Sequence, residues 1–66
     1  MHVDLELIRR AQKRATGANI HGLSALIIKY RIAVQQDERG IVSAGDEVKR
    51  IETALRLFVG TGQLRA

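Results

Sequence analysis

The chain has no cysteine, no proline and no tryptophan, and its only aromatic side chains are Tyr30 and Phe58. Without cysteine there can be no disulfide and no thiolate metal site. The two histidines, His2 and His21, have no spacing that would bring them together on a helix, so no metal or other cofactor is expected. With so few aromatics there is no stacking platform of the kind that binds single-stranded nucleic acid. The first residues, MHVDLELIRR, place Asp4 and Glu6 where a secretory leader would be basic and then apolar, so no leader is expected. The longest apolar-rich stretch, residues 20–34, is interrupted by Lys29 and Arg31. It falls short of the roughly 20 residues that span a bilayer, so the expectation is a soluble, cytoplasmic protein with no membrane partner.

Sixty-six residues make one domain, 1–66, near the size at which a single core is only marginally stabilising. Disulfides, a metal or oligomerisation usually make up the difference, and with the first two excluded a homodimer is expected. Eleven Lys and Arg against seven Asp and Glu give a net charge of +4. That balance suits weak attraction to nucleic acid or to an acidic partner.

Apolar residues recur at steps of three and four, and the glycines are the main punctuation, so the fold class is all-α. Three helices are predicted, at about 4–15, 20–38 and 44–59. Asp4 caps the first, whose apolar stripe is Leu7, Ile8, Ala11 and Ala15, and Gly17 is placed at its left-handed end. Asn19 caps the second, and Gly40 ends it. Ile41 and Val42 are expected as a short apolar linker tucked against a helix end. Ser43 with Asp46 then approximates a capping box for the third helix, which stops at Gly60. Asp46–Arg50 and Glu52–Arg56 are acid-first i,i+4 pairs on its outer face.

The seams 23-27-30-34 and 48-51-55-58 match in length, and the turn between them is short. They predict an antiparallel helical hairpin as the centre of a short three-helix protein, with two copies forming a homodimeric bundle. The second helix also carries a second apolar stripe, Ala25, Ile28 and Ile32, which the first helix can cover only in part. With His21 and Tyr30 nearby, this stripe is the candidate protein-binding or dimer-interface surface. Isoleucine does not read bases by hydrogen bonding, so the stripe favours a protein partner.

No residue set has the form of a catalytic centre. Ser24 lies three residues from His21, but a polar contact in a first helical turn accounts for the pair, and so small a chain has little room for a substrate pocket. A non-enzymatic regulator or adaptor is therefore expected, binding a second protein such as a regulatory factor, whose inhibitor or antiactivator it would be. In size class alone it is similar to small phage- or plasmid-encoded modulators. The alternative is a small basic dimeric DNA-binding regulator. Its phosphate contacts would come from Arg9, Arg10, Lys13 and Arg14 on the first helix.

Overall fold

The computed structural model describes residues 2–64, which form three α-helices and, among the described residues, no strand. They are α1 (Leu5–Lys13), α2 (Ile20–Glu38) and α3 (Val42–Thr61). The all-α class follows, and α2 has the predicted bounds.

Asp4 caps α1 as its position suggests. Its backbone is extended, and its carboxylate accepts from the Leu7 N–H at 3.0 Å, satisfying an amide that a helix start leaves unpaired. The helix stops at Lys13, two residues before the predicted end. Arg14 and Ala15 donate to the carbonyls of Ala11 and Gln12, tightening the last turn. Gly17 is not the left-handed terminator, since Gly40 and Gly62 are the glycines with positive φ. The reversal is made instead by a turn over 16–19. The Thr16 carbonyl accepts from the N–H groups of Asn19 and Ile20, and Asn19 Oδ1 accepts from the Thr16 N–H at 2.7 Å. Asn19 thus holds the position before α2, but its side chain serves the turn rather than the helix.

The end of α2 is a Schellman motif. Gly40 has φ 86° and donates to the Asp37 carbonyl, and Ile41 donates to that of Gln36, which closes the last carbonyls of the helix. This compact exit corrects the predicted start of α3. The chain leaves the motif already extended at Ile41, and Val42 is the first helical residue. Ile41 and Val42 are therefore no linker, and both are exposed, Val42 at 92 %. Ser43 lies inside the first turn, so the Ser43–Asp46 capping box does not form. Asp37 stands in for it electrostatically. Its carboxylate lies over the first turn of α3, where a Cβ added to Gly45 would come within 3.2 Å of Oδ1. The negative charge is then at the positive end of the helix dipole.

At the other end, α3 runs through Gly60 to Thr61. Gly62, with φ 74°, donates to the Phe58 carbonyl at 2.7 Å. A Cβ at Gly62 would also sit 2.7 Å from Arg14 Nη2, which the flexible arginine can relieve by swinging aside, so it is the left-handed backbone that requires glycine there. Gly62→Ala is expected to destabilise the fold by about 1–2 kcal/mol, lowering the thermal midpoint by about 5–10 °C. Gly60→Ala, in a helical site with open space around it, should raise it slightly. Equal midpoints for the two variants would contradict the assigned roles.

One core joins the three helices. Leu7, Ile8 and Ala11 of α1 meet Leu23, Ile27, Tyr30 and Val34 of α2, and Val48, Ile51, Leu55 and Phe58 of α3. Both predicted seams are buried throughout. Each large apolar side chain so covered contributes about 1.5–3 kcal/mol. α1 leans mainly on α3 and touches α2 less, which leaves the far side of α2 uncovered.

Candidate interaction surface

At about 100° per residue, the buried positions of α2 lie on one side, centred near Tyr30. His21, Ala25, Ile28 and Ile32 fall on the opposite side. All four are exposed, and the isoleucines keep 58 % and 48 % of their surface in water. Gln35 and Ser24 continue this face, with Lys29 on one shoulder and Arg31 on the other. Scattered exposed isoleucines are unremarkable in a soluble domain, but here two align with an alanine along about 11 Å of one helix. The face is continuous and carries no acid.

Tyr30 is corrected. It was expected beside this surface, but it is wholly buried and has nothing to offer a partner. Its hydroxyl accepts from the Asp4 N–H at 2.9 Å and donates to Glu52 Oε2 at 2.7 Å. Burial pushes the phenol up to about 12, with the Glu52 hydrogen bond the next cause. Glu52 in turn approaches Arg56 at 4.0 Å, as its i,i+4 spacing predicts. Asp46–Arg50 is replaced by Glu47–Arg50, at 3.4 Å. The network ties the start of α1 to the middles of α2 and α3. It holds a proton tightly and fills its own hydrogen-bonding capacity, so its role is structural.

The basic residues of α1 do not form one free ridge. Glu6 lies 3.4 Å from Arg10 and 3.8 Å from Arg9. These exposed pairs are weak, but they set one carboxylate beside two of the four cations. Arg14 is drawn across to Gly62, at the carbonyl end of α3, where a cation complements the dipole. Lys13 remains exposed in the last turn of α1. Four cations close in the chain are thus divided among three surroundings: Glu6, the end of α3 and open solvent.

Ser24 and His21 are both exposed, and no hydrogen bond joins them among the described residues. An open depression of about 450 Å³ lies between the start of α2 and the segment after α3, lined by Ala18, Asn19, Gly22, Gly62, Gln63 and Leu64. Asn19 and Gln63 could hydrogen-bond a solute there, but the lining has no nucleophile, acid or base. Among the described residues no three His, Asp or Glu side chains gather as metal ligands. No helix among them is long and apolar enough to cross a membrane.

Sequence reasoning missed Leu57, half exposed on the outer side of α3, and Leu5, exposed at the first turn of α1. The signal for Leu57 was present. It sits about 140° from the buried centre of α3, between Leu55 and Phe58, which face inward. Comparison of the chain with protein-family models, with curated proteins and with solved structures gives no significant match.

Proposed function

We propose that the chain is a small non-enzymatic regulator or adaptor of the cytoplasm, acting by protein–protein contact through the outward face of α2. The framework in this reading is an antiparallel α2–α3 hairpin. Side-chain approaches support it, because they pair progressively earlier residues of α2 with later residues beyond: Asp37 with Gly45, Tyr30 with Glu52, and Gly22 with Leu64. Two such units pack as a homodimeric bundle, and the assembly binds a regulatory factor as its inhibitor or antiactivator. The exposure of Ala25, Ile28 and Ile32 diametrically opposite the core carries this reading, since they take no part in the core formed by the described residues.

The double variant Ile28→Glu, Ile32→Glu tests it. Both positions face water, so helix content and thermal midpoint should change little. Self-association should weaken about a thousandfold, because four half-exposed isoleucines lose about 1 kcal/mol each. Sedimentation at micromolar concentration should give twice the chain mass for the parent and the single mass for the variant. Capture of a protein partner after nuclease treatment should fail with the variant. A variant that stays paired and still captures its partner would sink the reading.

The second reading, a dimeric DNA-binding transcriptional regulator, draws on the +4 charge and on exposed Arg9, Arg10 and Lys13. Binding of that kind would fall steeply with added salt and would be lost when Arg9, Arg10, Lys13 and Arg14 are replaced by Ala.

A further inference from the structure

We propose that the Lys13–Arg14 pair, where α1 gives way to the turn before α2, is a cleavage site for an endopeptidase selective for basic side chains, and that cutting there sheds α1 from the α2–α3 pair. The inference does not draw on the outward face of α2.

Residues 14–19 are the longer of the two stretches between helices, the other being 39–41. Lys13, Arg14, Thr16, Gly17 and Ala18 are exposed, and exposed turns of small residues are where nicking concentrates. A protease of this class holds its substrate extended and reads one side chain through a carboxylate in its pocket. Lys13 and Arg14 offer that pocket two adjacent cations. Ala15, Thr16, Gly17 and Ala18, which follow, carry no bulky group to obstruct the cleft. The approach of Arg14 to Gly62 involves a flexible side chain that can leave without moving the backbone. Apart from this pair, every described Lys and Arg lies within a helix except Arg39. Arg39 sits in the Schellman turn, where left-handed Gly40 and the immediate start of α3 keep the backbone from extending.

Hydrolysis at Arg14 breaks the bond between its carbonyl carbon and the Ala15 nitrogen. Water supplies a hydroxyl to the carbon and a hydrogen to the nitrogen, leaving a carboxylate on the α1 piece and an ammonium on the body. That carboxylate stands at the negative end of the α1 dipole, which disfavours the helix. The cut also turns docking of α1 from an intramolecular event, at an effective concentration of roughly millimolar, into a bimolecular one. A nine-residue helix, held by Leu7, Ile8, Ala11 and the Asp4–Tyr30 hydrogen bond, must then refold each time it binds, so it leaves at micromolar concentration. Its departure bares the strip of core it covered. It also removes Arg9, Arg10 and Lys13, three of the four cations on which the DNA-binding reading depends.

Trypsin is the probe. The full chain is digested briefly at a low trypsin ratio, and the products are weighed as intact fragments, with or without Ala66. The first products should be 1–13 or 1–14 with the matching remainder, before any cut in α2 or α3. The double variant Lys13→Gln, Arg14→Gln, at two exposed positions, should keep its circular dichroism. It should slow the first cut about tenfold or more, since the remaining sites open only with a helix. Gel filtration of the nicked chain at micromolar concentration should separate the α1 piece from the body. A first cut elsewhere within residues 1–64, or cuts spread over all the basic residues from the outset, would overturn the site. So would a folded double variant cut as fast as the parent. A nicked chain that still elutes with its α1 piece attached would overturn the release.

Discussion

Phe58→Ala is expected to cost about 3–5 kcal/mol, among the largest effects of any single truncation in the chain. Phe58 is fully buried and is one of the two bulkiest side chains in the core. Its backbone carbonyl also receives the Gly62 N–H that closes α3, so a cavity there sits under the C-cap that holds Arg14. A domain of this length has about 3–10 kcal/mol in total, so the variant should lose a large share of its stability and, at the lower end of that range, be unfolded near 37 °C. Urea titration followed by circular dichroism, at one fixed protein concentration because association adds apparent stability, measures the loss. Leu57→Ala provides the control one residue away. Its side chain is half in water, and the exchange should move stability by no more than about 0.5–1 kcal/mol. A Phe58→Ala cost no larger than the Leu57→Ala cost would mean that the assigned face of α3 is wrong.

Tyr30→Phe is also expected to show a large effect, and pH makes it specific. The substitution keeps the ring but removes two hydrogen bonds, one of them to a carboxylate. The Glu52 carboxylate is left short of a partner at a site where only 17 % of its side chain meets water. A cost of about 1.5–3 kcal/mol follows at neutral pH. In the folded chain the phenol pKa is raised from 10.0 to about 12. A raised acid favours the protonated form, so its stabilisation is fully present below pH 10. It is lost as pH climbs from 10 to 12, when the unfolded phenol ionises and the folded one does not yet. Over that window the parent should lose about 2–3 kcal/mol relative to Tyr30→Phe, which has no phenol to ionise. Subtracting the two pH profiles removes the titration of lysines common to both. Parallel profiles up to pH 12 would show that Tyr30 is not held as described.

The parts of the fold legible in the sequence are those set by local periodicity. Steps of three and four located both seams, and they also separated the outward α2 stripe from the buried one. Gly40 could be placed because a left-handed exit is a property of a single residue. The errors arise where two local signals competed or where a partner lay far along the chain. Ser43 and Asp46 form a credible capping box, but the Schellman turn at Gly40 returns the chain to helical geometry before Ser43 is reached. Thr16–Gly17 reads as a helix stop, yet Asn19 folds back on Thr16 and makes the turn without a left-handed glycine. Tyr30 carries a polar tip that suits an interface. Its real partners are Asp4 and Glu52, 26 and 22 residues away, and no periodicity within one helix could report them. The division of the α1 cations likewise depends on the position of Gly62, at the far end of the chain.

The short first helix has a bearing on the order of assembly. Nine residues are too few to persist as an isolated helix in water, so α1 exists only while Leu7, Ile8 and Ala11 are docked and Asp4 is hitched to the phenol. The α2–α3 pair, by contrast, is joined by a three-residue turn and gains its packing from neighbours in the chain. That favours it as the nucleus, with α1 a clasp that would close over it last and let go first. Whenever the clasp opens, the chain bares a second greasy strip on the side of α2 away from the permanent one, so a body that breathes would for that moment be apolar on both flanks.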